Sequence, residues 1–109
     1  MSKNVRVGNL AGAMRPNPGA AMGNITIGAA AVTLSAELAL PLTTRQVFIS
    51  LDGGSARLTL DGSTPVASTT GHLLPEGMSD VWSARVFKDA TMVREGGSDA
   101  VLRVSQMTL

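Results

Sequence analysis

Few side chains in this sequence could do chemistry, and those few lie far apart along the chain. His72 is the only histidine, so a Ser-His-Asp triad would have to combine it with a serine and an aspartate from distant loops. No serine lies in a sequence that resembles a nucleophile elbow. Because His72 precedes Leu73 and Leu74, we interpret it as a strand residue with a half-buried ring rather than as a catalytic base.

Two aspartates stand directly before glycines, at Asp52-Gly53 and Asp61-Gly62. Two carboxylates could act as general acid and base, or could bind Ca²⁺. An aspartate before glycine more commonly accepts hydrogen bonds from the backbone of its own turn. A calcium loop also needs several oxygen ligands at alternating positions, and Asp61 is the only carboxylate of its segment. We therefore predict structural turns at both places.

The remaining motifs that could bind a ligand are incomplete. Glu95-Gly96-Gly97 is too short to cradle a phosphate, and no Lys-Ser or Lys-Thr follows it, so we predict a turn at Gly96. Basic residues are not interleaved with aromatic ones, which disfavours nucleic-acid binding. We accordingly expect no catalytic residue, no metal site, no cofactor and no nucleic-acid partner.

The composition limits the kind of domain that must position these residues. A length of 109 residues suits one domain, and the absence of cysteine excludes disulfides, cysteine-ligated zinc and thiol nucleophiles. Hydrophobic residues make up 44% of the chain, aromatic residues 3% and charged residues 16%. Such sparse charge favours a surface that neighbouring molecules cover. The N-terminus lacks a signal-peptide pattern and no apolar run reaches the ~18–20 residues of a membrane span, so we expect assembly in a cytoplasm without a membrane partner.

The composition of residues 1–23 predicts an extended arm, because glycines and prolines interrupt every segment that could form a helix or a strand. Residues 1–35 carry a net charge of +3, whereas residues 36–109 carry −2. The arm could dock on a neighbouring copy, or its three charges could simply be solvated. The candidate interface residues of the arm are Arg6, Met14, Arg15 and Met22.

Residues 24–109 predict about seven or eight short strands, with turns roughly every ten residues. The clearest strand is 46–51, which places Val47, Ile49 and Leu51 on one face, and residues 100–105 predict the last strand. We expect the Asp52-Gly53 loop to be a hairpin that pairs residues 46–51 with residues 57–60. The predicted fold is all-β: a small antiparallel β-sandwich, Ig-like or jelly-roll-like, that follows the extended arm.

Two further positions bear on this fold. Pro65 should end any strand ladder because it lacks a backbone donor. Residues 80–87, which contain Trp82, could form a strand or a short helix with Ser79 as its N-cap, and the flanking strands favour a strand. We interpret Trp82 as a core or interface residue rather than a platform for sugar binding.

Several motifs together resemble a family of small virion structural proteins of tailed bacteriophages. They are TLDGSTP at residues 59–65, GHLLP at 71–75, Trp82, and REGG at 94–97 with the following DAVL, and the resemblance covers roughly residues 46–105. The TLDGSTP segment alone is also similar to the C-terminal β-sandwich module of chitobiase-type glycosidases. The final residues, Met107-Thr108-Leu109, depart from the aromatic ending of the phage family.

The phage resemblance implies a non-enzymatic protein of the virion, assembled in the host cytoplasm. Its motif residues would then be turn and core positions rather than catalytic ones. A compact domain with an apolar, basic arm suits a capsid decoration (cement) protein whose partners are the major capsid protein, other virion proteins or copies of itself. Two alternatives remain: a tail, connector or fibre-base component, and a carbohydrate-binding accessory module.

Overall fold

The computed structural model of the chain describes residues 15–16 and 22–108, with side chains from residue 23 to residue 107. These residues form nine strands and two short helices. The strands are β1 (Arg15–Pro16), β2 (Met22–Ile27), β3 (Val32–Thr33), β4 (Gln46–Asp52), β5 (Ala56–Thr59), β6 (His72–Leu74), β7 (Ser79–Ser83), β8 (Thr91–Arg94) and β9 (Ala100–Thr108), and the helices are α1 (Leu34–Glu37) and α2 (Ala84–Asp89).

The strands form two antiparallel sheets that pack as a sandwich, as the sequence predicts. Sheet A has the order β2-β9-β4-β7, and β1 continues the β2 edge by pairing with the last residues of β9. Sheet B has the order β3-β8-β5-β6. Each sheet therefore combines strands from both halves of the described chain, and the core lies between the two inner faces.

The pairing pattern is that of a jelly roll, one of the two sandwich types that the sequence left open. Four successive pairs, β2 with β9, β3 with β8, β4 with β7 and β5 with β6, form one long antiparallel ribbon whose tip is the β5–β6 loop. The ribbon is rolled so that β4 also pairs with β9, and β5 with β8. This arrangement buries one face of nearly every strand.

Alternation of side chains explains the core. In β4, Val47, Ile49 and Leu51 are fully buried while Phe48 points outward, which confirms the predicted face. In β9, Leu102 and Val104 are buried in the same way. The other large, fully buried side chains are Ile27, Leu34, Phe87 and Met92. The core therefore consists mainly of aliphatic side chains.

The predicted hairpin between β4 and β5 is wrong. Asp52 and Gly53 lie at a corner where the chain crosses from sheet A to sheet B, so β4 pairs with β7 and β9 while β5 pairs with β6 and β8. Gly53 has a φ of +83°, and a Cβ there would lie 3.0 Å from the carbonyl oxygen of Asp99. The glycine allows this corner to pack closely against the β8–β9 loop.

The predicted strand over residues 80–87 is right for its first half only. β7 ends at Ser83, whose Oγ accepts a hydrogen bond from the backbone N–H of Val86 and so caps α2. Helix α2 places Phe87 in the core. The cap is therefore Ser83 rather than Ser79, and the chain changes from strand to helix where it leaves sheet A.

Part of the predicted arm belongs to the sheet of its own chain. Arg15 and Pro16 pair with Thr108 and Met107, and Met22 and Gly23 pair with Ser105 and Val104. The other residues of the arm lie outside the described part of the chain.

Candidate functional site

The β5–β6 loop, residues 60–71, contains most of the TLDGSTP motif and lies on the outer face of sheet B. At its start the carboxylate of Asp61 accepts hydrogen bonds from the backbone N–H of Ser63 (3.0 Å) and from its hydroxyl (2.6 Å). Gly62 follows Asp61 with a φ of +84°. The Asp-Gly pair thus forms the side-chain-capped turn that the sequence predicts.

The loop then folds back along the sheet. The side chain of Pro65 is buried, and residues 64–67 border a groove whose other side includes Val93, Arg94 and Ala31. Val93 points outward from β8, yet only 6% of its surface is exposed. We call residues 60–71 the covering loop because they cover this face of sheet B.

A network of polar contacts around Glu95 holds the covering loop in place. Arg57 of β5 donates from Nε to Glu95 Oε1 (2.8 Å) and from Nη2 to Oε2 (3.3 Å), and its Nη1 donates to the carbonyl oxygen of Gly71 (3.1 Å). Glu95 also accepts from the backbone N–H of Ser68 (2.8 Å). Ser68 has a φ of 66°, which is uncommon for a residue other than glycine. These contacts join the tip and the end of the loop to β5 and to the bend after β8.

The network also perturbs ionisation. Hydrogen bonds from Arg57, followed by the one from the Ser68 backbone, lower the pKa of Glu95 to about 2. The pKa of Asp61 is lowered as well, mainly by the hydroxyl and then the backbone N–H of Ser63. Both carboxylates are therefore stabilised as anions in structural contacts, which is unlike the raised pKa of a general acid.

Gly71 closes the covering loop through a very close approach of two backbones. A Cβ at Gly71 would lie 2.8 Å from the carbonyl oxygen of Leu58, and Gly71 has a φ of +105°. Only glycine fits both conditions without strain. The sequence showed that a glycine precedes β6, but it carried no signal of this contact.

The other predicted turn residues behave differently from one another. Asp52 does not cap its own turn among the contacts observed; instead, its Oδ2 accepts from Nε of Arg103 in β9 at 2.7 Å. Gly96 lies in an exposed bend where an added Cβ would meet open space. Glycine is therefore not required at position 96 on steric grounds.

The structure separates the predicted interface residues. Trp82 lies in the core with 8% of its surface exposed, because β7 points it inward opposite Val47, so it offers little area to a partner. Arg15 and Met22 lie in β1 and β2 at the edge of sheet A. Arg6 and Met14 lie outside the described residues.

The outer face of sheet A has no equivalent of the covering loop among the described residues. At its centre is Phe48, which is 40% exposed and lies between Ser105 of β9 and Val81 of β7. Around this row are mostly small polar side chains: Asn24, Thr26, Ser50, Ser79 and Ser83. The charges on this face are those of Asp52 and Arg103, which pair with each other. This is a nearly neutral surface with one exposed aromatic ring.

The described residues do not place the other potentially reactive side chains together in one site. His72 lies in strand β6, as the sequence predicts, and its side chain is exposed. Residues 22–108 contain no group of three or more histidine, aspartate or glutamate side chains placed to hold a metal ion. A groove of about 680 Å³ beside α2 is lined by Leu40, Phe87, Arg85, Lys88 and Asp89 among others. Its side chains carry both signs of charge and do not favour one charged ligand.

Comparison with known proteins does not assign the chain to a family. No protein-family model matches the chain, and neither a curated protein nor a solved structure matches it. Among the described residues, neither helix has the length and apolarity needed to cross a membrane.

Proposed function

We propose that this protein is a non-enzymatic structural component of a tailed-phage virion and that it decorates and stabilises the capsid. The proposal starts from the motif resemblance over residues 46–105. Its partners are then the major capsid protein, other virion proteins and copies of itself. The fold alone does not select this function, because sandwiches of this kind serve many purposes.

One observation carries the proposal: three of the motif segments behind the resemblance, TLDGSTP, GHLLP and REGG, lie together around the covering loop, whereas Trp82 and the DAVL segment lie in sheet A. Within TLDGSTP, the hydroxyl of Thr59 donates to the carbonyl oxygen of Ser63. Arg57 then links Gly71, which opens GHLLP, to Glu95 of REGG. The proximity of these three segments supports treating them as one structural unit, the covering loop and its attachment.

The distribution of charge agrees with a structural role. The two carboxylates with lowered pKa values, Glu95 and Asp61, hold the covering loop and its first turn. The outer face of sheet A is nearly neutral, so another protein that packs on it would desolvate only the paired charges of Asp52 and Arg103.

The carbohydrate-binding alternative is less favoured because carbohydrate-binding modules stack sugars mainly on exposed aromatic rings. The chain has three aromatic residues. Trp82 and Phe87 are buried, and only Phe48 presents part of its ring to the surface. A single half-exposed phenylalanine is a poor platform for an oligosaccharide.

Cryo-electron microscopy of intact particles tests the proposal directly. Particles of the phage that encodes the chain should be compared with matched particles that lack its gene. We expect difference density spread over the icosahedral shell and heads that lose their contents at a lower temperature when the gene is absent. Density confined to the unique vertex or the tail would favour a connector or tail component instead. Absence of the chain from particles would overturn the virion proposal.

A further inference from the structure

Strand β7 forms an edge of sheet A that has no partner on one side among the described residues. β7 pairs only with β4, with Val81 opposite Phe48 and Asp80 opposite Ile49. Two flanking hydrogen bonds run from Leu51 N–H to the Met78 carbonyl and from Ala84 N–H to the Arg45 carbonyl. They show which residues of β7 direct their backbone groups toward β4 and which direct them away from it. The backbone groups of Ser79, Val81 and Ser83 therefore point away from β4 and toward the free edge.

A carboxylate occupies the middle of this edge. Oδ1 of Asp80 accepts the outward-pointing backbone N–H of Val81 at 2.7 Å. This contact satisfies the donor that a further strand would otherwise use. A charged side chain on an edge strand is a common device that prevents uncontrolled pairing between sheets. A strand added here must therefore supply something that draws the Asp80 carboxylate away from Val81.

The two faces of the edge differ in chemistry. Asp80 lies on the inner-face side of β7. Another acidic residue, Glu76, lies in the turn before the strand, and a basic residue, Arg85, follows the strand in α2. Val81 lies on the outer-face side beside the exposed ring of Phe48. A matching strand would present a cation opposite Asp80 and apolar side chains on the face of Val81.

The sequence of the first seven residues has this pattern. Val5 and Val7 alternate with Arg6, and residues 1–35 contain no acidic residue. Successive side chains of a strand point to opposite faces. An extended segment that placed Arg6 opposite Asp80 would therefore place Val5 and Val7 on the face of Val81 and Phe48.

The position of β1 bears on whether such a segment would add to its own molecule or to another copy. Arg15 pairs with Thr108 and Pro16 with Met107, so β1 begins beside the last described residue of β9. The start of β1 lies on the far side of sheet A from β7, with β9 and β4 between them. Residues 1–14 can span about 45 Å when extended. To add a strand to their own β7, these residues would have to reverse across the outer face of sheet A, which makes the β7 edge of a neighbouring copy the more direct acceptor.

From these observations we infer that residues 1–14 of one copy add a strand to the β7 edge of a second copy. Arg6 replaces the Val81 N–H as the partner of Asp80, and the freed backbone groups pair with the added strand. The contact is heterologous, so repetition joins copies head to tail into a ring or a chain. This mode of self-association holds whether or not the protein belongs to a virion.

Disulfide trapping in the full-length protein tests the inference, and the absence of native cysteine makes it clean. The double variants Val5→Cys/Val81→Cys and Val7→Cys/Val81→Cys keep both charges. The matched control is Val5→Cys/Val66→Cys, because Val66 is 50% exposed but lies in the covering loop on sheet B. Circular dichroism should show that all variants remain folded. Oxidation of at least one Val81 variant should give covalent dimers and larger species on non-reducing gels, and the control should give none.

A second test exchanges the charges of Asp80 and Arg6 in whichever double-cysteine variant forms disulfide-linked dimers. Asp80→Lys should reduce cross-linking to the level of the control, and adding Arg6→Glu should restore it. Internal disulfides in monomers would overturn the inference, because the arm would then occupy its own edge. Cross-linking no greater than in the control, or unaffected by Asp80→Lys, would also overturn it.

Discussion

Arg57 and Glu95 form a two-pronged ion pair that joins β5 to the bend after β8. Nε and Nη2 of Arg57 lie 2.8 and 3.3 Å from the two carboxylate oxygens, and 21% and 22% of the two side chains is exposed. Two parallel hydrogen bonds fix orientation better than a single contact does. The covering loop depends on this pair, because Ser68 is bonded to Glu95 and Gly71 to Arg57.

The first prediction concerns pH. The pKa of Glu95 is lowered from its ordinary 4.5 to about 2, so its contribution to stability is present above pH 4.5 and is lost as the pH falls toward 2. We expect Glu95→Gln to lower the free energy of unfolding at pH 7 and to flatten its decrease over this interval. Urea denaturation at several pH values measures both effects.

A matched control for that experiment is Glu76→Gln, an exposed glutamate in the turn before β7. The control should leave the pH dependence close to that of the parent protein. An equally steep decrease in Glu95→Gln and in the parent would show that the ion pair does not contribute as described.

The second prediction ranks three glycines of the motif region. Gly71→Ala should destabilise the domain by about 2–4 kcal/mol, because it combines a positive φ with a Cβ 2.8 Å from the Leu58 carbonyl oxygen. Gly62→Ala should cost about 1 kcal/mol, since its φ is +84° but the surrounding space is open. Gly96→Ala should be nearly neutral.

Thermal or urea denaturation of the three variants gives this ranking. Equal effects at positions 71 and 96 would contradict the close approach of Gly71 to Leu58. A neutral Gly62→Ala would contradict the tight turn at Asp61-Gly62.

The third prediction contrasts two aromatic residues of sheet A. Trp82→Ala should destabilise the protein by about 3–5 kcal/mol, because the ring is buried and its removal leaves a cavity. Phe48→Ala should cost less than about 1 kcal/mol, since its ring is 40% exposed. Chemical denaturation followed by circular dichroism measures both, and similar losses would place the two rings in similar environments.

The fourth prediction concerns the N-terminus. Deletion of residues 1–14 leaves every described strand intact, so we expect an unchanged midpoint of thermal unfolding. Deletion of residues 1–23 removes β1 and the pairs of Met22 and Gly23 with β9, so we expect a lower midpoint. Calorimetry distinguishes the two deletions.

Both deletions should weaken incorporation into particles if the arm docks on neighbouring copies. Unchanged occupancy of particles by the shorter deletion would contradict this role of the arm, while leaving the thermal prediction standing.

The sequence alone determined the clearest strands of the domain and which way their side chains point, but it did not separate β7 from α2. Alternation in residues 46–51 placed Val47, Ile49 and Leu51 in the core, because successive side chains of any strand lie on opposite faces. Local chemistry likewise determined the turn at Asp61, since its hydrogen bonds to Ser63 involve neighbours in sequence.

Only the tertiary structure decided which strands pair and what covers each sheet. A three-residue link such as 53–55 can join two strands of one sheet or cross between two sheets, and the choice depends on how all strands bury their apolar faces together. That choice made Asp52-Gly53 a corner rather than a hairpin and selected a jelly roll. It also brought Arg57, Gly71 and Glu95 together, a contact between distant positions that no local pattern encodes.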